Sequence, residues 1–124
     1  MFKIRYIKKT DKLELQRCEE IGCLSLPIYY SSLDLITFLE EPNNIFIYGA
    51  SIDKKFVGFI VYIKQFGKIH ILSLACHPDY RRKKIGTLLI TKLKEYTLNI
   101  TLYVQSTNKT AIRFYLNNGF IKLK

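Results

Sequence analysis

The chain has no tryptophan, one methionine, three prolines, three cysteines and only two histidines in 124 residues. Two histidines and ten acidic residues with no ligand-like grouping imply no metal centre. The cysteines, Cys18, Cys23 and Cys76, show neither paired disulfide nor zinc spacing, which fits a reducing compartment with all three as packing residues. No apolar run approaches the ~20 residues needed to cross a bilayer. The start Met1-Phe2-Lys3-Ile4-Arg5 lacks a signal-peptide core, so a cytoplasmic location without membrane attachment is expected. Linkers, repeats and low-complexity segments are also missing, and the expectation is a single domain over residues 1–124.

What is present is apolar and basic. At 48% hydrophobic and 14% aromatic residues the chain is not of disordered composition, and its length allows burial of roughly two-thirds of the unfolded surface. Lysine and arginine outnumber Asp and Glu by 20 to 10, a formal charge of +10, which raises the possibility of a nucleic-acid binder. The lysines are scattered among many Ile, Asn and Tyr residues and no nucleic-acid module is recognisable. A weak, salt-sensitive association with RNA or ribosomes is compatible with such a charge.

The pattern predicts an α/β chain in the order βααβββαβαβ. Residues 2–8 alternate as a strand, Thr10-Asp11 cap a helix to about Gly22, Pro27 interrupts the next loop, and Ser31 or Ser32 caps a short helix through Glu40. Strands follow at Ile45–Ile52, Phe56–Lys64 and Lys68–Cys76, joined by tight turns at Asp53-Lys54 and Phe66-Gly67. A helix from Gly86 to about Thr97, a strand over Asn99–Gln105, a helix capped by Asn108 and a final strand over Phe120–Lys124 complete the order.

Two segments carry chemistry. His77-Pro78-Asp79-Tyr80-Arg81-Arg82-Lys83-Lys84-Ile85-Gly86-Thr87 is a basic turn between an apolar strand and a helix with Leu88, Leu89 and Leu93 on one face. Such a turn aims helix N-terminal amides and the positive end of the dipole at an anion, and two arginines can fork onto phosphate oxygens. A solvated basic turn is the plainer reading, and His77 reads as structural. The second segment, Asn108 to Phe120, reads as a capped helix with Ala111, Phe114, Tyr115 and Leu116 toward the sheet and Gly119 at its end. An ordinary core helix with a buried tyrosine would look the same.

Taken together the two segments resemble the GNAT N-acetyltransferase superfamily, whose fold is a mixed central sheet with flanking helices. The resemblance implies that Arg81, Arg82, Lys83, Lys84, Ile85, Gly86 and Thr87 hold the pyrophosphate of acetyl-CoA, the acyl donor. It places Asn108 near that cosubstrate and the Tyr115 hydroxyl at the thioester sulfur, as the acid for the departing thiolate. Lys84 stands where the superfamily has its first loop glycine. A lysine there is strained if φ is positive, and either its ammonium helps hold phosphate or affinity for CoA is reduced. The last strand of the superfamily is lacking, which implies a more open acceptor side or cover from a partner.

Within the superfamily the chain resembles protein N-terminal acetyltransferases of the San type, the catalytic subunit of NatE. Leu74-Ala75-Cys76, the stretch Leu102-Tyr103-Val104-Gln105-Ser106-Thr107-Asn108, and Leu26-Pro27-Ile28-Tyr29-Tyr30 carry that likeness. It implies that Pro27, Ile28, Tyr30 and Leu72 meet the N-terminus of a protein or peptide acceptor. Leu74 and Cys76 would offer backbone groups to the thioester carbonyl and the pantetheine arm. The two proton-handling positions fall on His70 and Tyr103 with their residue types exchanged. Histidine titrates near neutrality, whereas a tyrosine hydroxyl near pKa ~10 relays or orients, so His70 is the expected base and Tyr103 its partner. A strand histidine with a satisfied hydrogen bond and a core tyrosine are the alternatives.

The expected reaction is direct acetyl transfer to an amine, without a nucleophilic cysteine. An acetyltransferase for a small amine or a lysine side chain is the alternative, for which the acids Glu19, Glu20, Asp34, Glu40 and Glu41 leave polyamines open. A non-catalytic acyl-CoA-binding protein is a third reading. An exposed sheet edge over residues 120–124 makes a homodimer by strand addition conceivable.

Overall fold

Strand β3 (Lys55–Gln65) is buried from Val57 to Tyr62 without interruption, as a central strand covered on both faces must be. It pairs antiparallel with β2 (Ile45–Ile52) on one side and β4 (Lys68–Cys76) on the other. The sheet continues outward through β1 (Phe2–Tyr6), antiparallel to β2, and β5 (Ile100–Thr101), parallel to β4, in the order β1-β2-β3-β4-β5. Asp53 and Lys54 both take positive φ in the β2–β3 turn, as do Phe66 and Gly67 between β3 and β4, the conformation that matches hairpin twist. The computed structural model describes residues 1–123 other than the Arg82 side chain, so that side chain and Lys124 lie outside the described residues.

Helices cover both faces. On one, α3 (Ile85–Lys94) packs Leu89, Ile90 and Leu93 against Ile60, Tyr62, Ile69 and Ile71, with Phe114 and Tyr115 of α4 (Lys109–Asn117) alongside. On the other, Leu15, Cys18 and Ile21 of α1 (Lys12–Ser25) and Leu35 of α2 (Ser32–Phe38) pack against Ile47, Phe59, Val61 and Ala75. Ser31 begins α2 with a capping box shared with Asp34. No helix of the described residues is long and apolar enough to cross a membrane.

The α/β order follows the sequence pattern as far as α4, with two corrections. The strand expected over Asn99–Gln105 is only Ile100–Thr101, because β4 stops pairing with it after His70. The strand expected over Phe120–Lys124 is not formed at residues 120–123, since a two-residue β5 presents almost no ladder to extend. The sheet edge proposed there, and the strand-addition dimer built on it, lose their basis. Cys23 is a third correction: it is exposed, while Cys18 is buried and Cys76 half-buried.

One irregularity in β4 shapes everything that follows. The β3 partners run Tyr62 with Ile71 and then Val61 with Ser73, so Leu72 is an extra residue in β4. The Ile69 amide points to the β5 side, donating to the Asn99 carbonyl, whereas the His77 amide points to the β3 side, donating to Val57. Residues eight apart in an even-phased strand would point the same way; the bulge reverses the phase. The backbone groups of Leu74 and Cys76 therefore face the open side of β4, beyond the last β4–β5 pair.

Candidate active site

The split between β4 and β5 separates two sets of side chains. Leu74, Cys76, Tyr80, Phe114 and Tyr115 pack with the α3–α4 core, whereas Leu72 and Tyr30 pack with the α1–α2 core. His70 and Thr101, the last register pair before the strands part, alternate with Ile69 and Ile100 of the α3–α4 core, which puts both on the α1–α2 side.

On the α3–α4 side, the first helical bond of α3 runs from the Leu88 amide to the Lys84 carbonyl, so the amides of Ile85, Gly86 and Thr87 have no acceptor within the helix. Lys84 caps α3 at φ 60° and ψ 30°, the left-handed conformation for which the missing glycine would be suited. The 3₁₀ turn Pro78–Lys83 leads in, carrying exposed Arg81 and Lys83. His77 starts that turn, its Nδ1 accepting from the Asp79 amide at 3.1 Å, which fits its structural assignment. Gly86 is required by packing as well as by any ligand: a Cβ there would lie 2.8 Å from Phe114 Cζ.

Tyr115 stands between the rings of Phe114 and Phe120, edge-on to both at 5.0 and 5.4 Å. Burial pushes its hydroxyl up to about 12, with a smaller contribution from the nearby Cys76. The Cys76 thiol is itself pushed up to about 11 by burial, against the opposing influence of the Gly86 amide and the Arg81 charge. Arg81, Gly86, Cys76 and Tyr115 thus converge on the end of β4. Asn108 begins α4, its Oδ1 accepting from the Ala111 amide at 3.1 Å, so its oxygen serves as a helix cap. An apolar cavity of about 540 Å³ lies farther out, between residues 100–104, α4 and the tail 119–123; Tyr115 lines it, but among the described residues none of β4 or of 81–87 does.

On the α1–α2 side, His70 Nδ1 lies 2.7 Å from Thr101 Oγ1, and the ring of Tyr103 is 5.1 Å from the imidazole. Tyr103 is 92% exposed, which excludes the alternative of a core tyrosine. The segment joining α1 to α2 is fixed over the Cys76 end of β4. Ser25 Oγ donates to the Cys76 carbonyl at 2.8 Å, the Ser32 amide donates to Glu19 at 2.7 Å, and Tyr29 packs so closely on Gly22 that a Cβ there would meet it at 2.9 Å. Tyr30 is held edge-on against Phe38 at 4.8 Å, half-buried, while Pro27 and Ile28 stand out from the surface. The carboxylates of Glu19 and Asp34 are engaged in these backbone contacts. Among the described residues no three His, Cys, Asp or Glu side chains gather as metal ligands would.

The roles of Ser25, Glu19 and Thr101 were not legible in the sequence, where Glu19 stood only among five acids open to a polyamine. Their partners lie 51, 13 and 31 residues away, and nothing local marks them. For Thr101 alone there is a signal: it shares a strand face with Tyr103, one position pair from His70.

A family profile described as the acetyltransferase (GNAT) family matches residues 13–120. An uncharacterized N-acetyltransferase of Methanocaldococcus jannaschii is 33% identical over 120 residues, 92% of this chain and 76% of that protein. N-alpha-acetyltransferase 30 of Xenopus laevis is 30% identical over 98% of this chain, which spans only 48% of that relative's length. The ribosomal-protein-S18-alanine N-acetyltransferase of Escherichia coli superposes with a TM-score of 0.84 at 21% identity, over all of this chain and 80% of that one, a likeness of fold.

Proposed function

This chain belongs to the acetyltransferase (GNAT) family, and from that premise we propose that it moves the acetyl group of acetyl-CoA directly to the α-amino group of a protein or peptide N-terminus. The α3 N-terminus supports the donor half: first-turn amides with no acceptor within the helix, and Lys84, Arg81 and Lys83 around them, fit a pyrophosphate. The open-side amides of Leu74 and Cys76 fit a thioester carbonyl and pantetheine arm running along β4 toward the split.

In this reading the amine lone pair attacks the thioester carbonyl from the α1–α2 side. A C–N bond forms and the C–S bond breaks. His70 takes the proton of the ammonium, directly or through a water ordered with Tyr103, and the strand amides hold the carbonyl oxygen as it gains charge. The thiolate leaves toward Tyr115, which gives it a proton. A hydroxyl at about 12 would be a weak acid for a thiol in water. The leaving sulfur, however, departs into the buried surroundings that also push the Cys76 thiol up, and burial favours its protonated form. Geometry rather than covalent help from the protein supplies the rate.

The observation that carries the acceptor assignment is the fixed α1–α2 segment. It presents exposed Pro27 and Ile28 together with Tyr30, which packs in the same core as Leu72, and two acids that could recognise a polyamine, Glu19 and Asp34, are tied to backbone amides. The 30% identity to N-alpha-acetyltransferase 30 over almost the whole chain supports the same reading. Release of free CoA thiol, measured with Met-starting peptides, N-blocked lysine peptides and spermidine, tests it. Turnover confined to free peptide N-termini is expected, and turnover on spermidine or the blocked lysine peptides instead would overturn it.

A further inference from the structure

We propose that Thr101 is a positioning residue for the acetyl transfer: its hydroxyl accepts the Nδ1–H of His70 and so leaves the Nε2 lone pair free for the ammonium proton. The inference rests on His70 being the base. The contact is short, 2.7 Å, and joins the last two residues that pair across β4 and β5. Their backbones are fixed by the ladder, and a β-branched side chain has little rotamer freedom, so the hydroxyl is presented from a stiff mount. Direction matters because neutral imidazole carries one proton. Were the hydroxyl to donate to Nδ1, the proton would sit on Nε2 and the outward nitrogen could accept nothing. Once His70 has taken the proton of the amine, its Nδ1–H must donate. An accepting Thr101 hydroxyl, its own hydrogen turned to water from an exposed site, satisfies the ring before and after proton transfer without turning.

The molecule carries its own reference. His77 Nδ1 accepts from the Asp79 amide, so neutral His77 holds its proton on Nε2, the opposite tautomer. In the ¹⁵N-labelled protein at a pH where both rings are neutral, long-range ¹H–¹⁵N correlations are expected to show Nδ1–H for His70 and Nε2–H for His77. In Thr101→Val, nearly the same shape without the acceptor, His70 is expected to become a mixture of tautomers while His77 stays unchanged. kcat on the best peptide is expected to fall about tenfold with KM within twofold, and Thr101→Ser to restore both. A wild-type His70 with its proton on Nε2, or a His70 tautomer unaltered in Thr101→Val, overturns the role of Thr101 and leaves His70 as base standing. A tautomer lost with kcat unchanged overturns the positioning role by removing His70 from the chemistry.

Discussion

On the α3–α4 face of the β4–β5 split, Gly86 is pressed on Phe114 and Tyr115 is clamped between two rings; on the α1–α2 face, Tyr103 is 92% and Ile28 78% exposed. The first face is built like a protein interior and the second like a rim. A cosubstrate common to a whole family can be met by a rigid, deeply packed surface. In the proposed reading an acceptor that differs between members is met by a short segment pinned at Ser25, Gly22 and Glu19, whose exposed tip can change without disturbing either core. On that proposal substrate choice belongs to the thinner half, and the contrast can be broken from either side.

The largest effect is expected from Gly86→Val. The added side chain drives into Phe114 and displaces the α3 N-terminus, costing about 2–3 kcal/mol of stability and abolishing CoA binding, read by urea unfolding and calorimetry. Tyr115→Phe sharpens the contrast by chemistry alone: kcat is expected to fall roughly 10²–10³-fold while the Kd for CoA stays within twofold. On the rim, Tyr30→Ala is expected to raise the peptide KM about tenfold, a loss near 1.4 kcal/mol, with CoA affinity unchanged; a change in CoA affinity would show that the faces are not independent.

Two smaller effects belong to the packed face. Folding raises the Tyr115 hydroxyl from 10.0 to about 12, favouring its protonated form. That contribution is complete below pH 10 and disappears as pH rises toward 12. Wild-type protein is therefore expected to lose about 1 kcal/mol more than Tyr115→Phe between pH 9 and 11 in urea titrations. The burial of Cys76 acts in the same direction from pH 9, common to both proteins. Lys84→Gly relieves a left-handed lysine and is expected to add about 0.5 kcal/mol of stability while weakening CoA about threefold through loss of the ammonium, measured by the same two methods.

The packed face was legible because its determinants are local. Arg81 to Gly86 and Asn108 to Tyr115 each lie within one turn and one helix, and the strain anticipated at Lys84 appears as a φ of 60°. The rim was harder. A one-residue bulge at Leu72 leaves the apolar run Ile69 to Ala75 looking like any buried strand, although it decides which amides face the split. Residues 99–105 alternate as a strand should, yet a strand needs a partner, and β4 turns away after His70. Exposed Cys23 is a different case: it stands one residue past Gly22, about 100° round the helix from the face that Leu15, Cys18, Ile21 and Gly22 bury, so its residue type misleads where the helical period does not.

An opening that passes between two strands has a kinetic meaning. In the proposed reading donor and acceptor reach the reacting atoms through separate doors, so neither need vacate its place for the other to enter or leave. Initial-rate plots should intersect rather than run parallel. Free CoA should compete with acetyl-CoA alone, and an acetylated peptide should compete with the peptide alone, the inhibition pattern of a catalyst that fills and empties its two berths in either order.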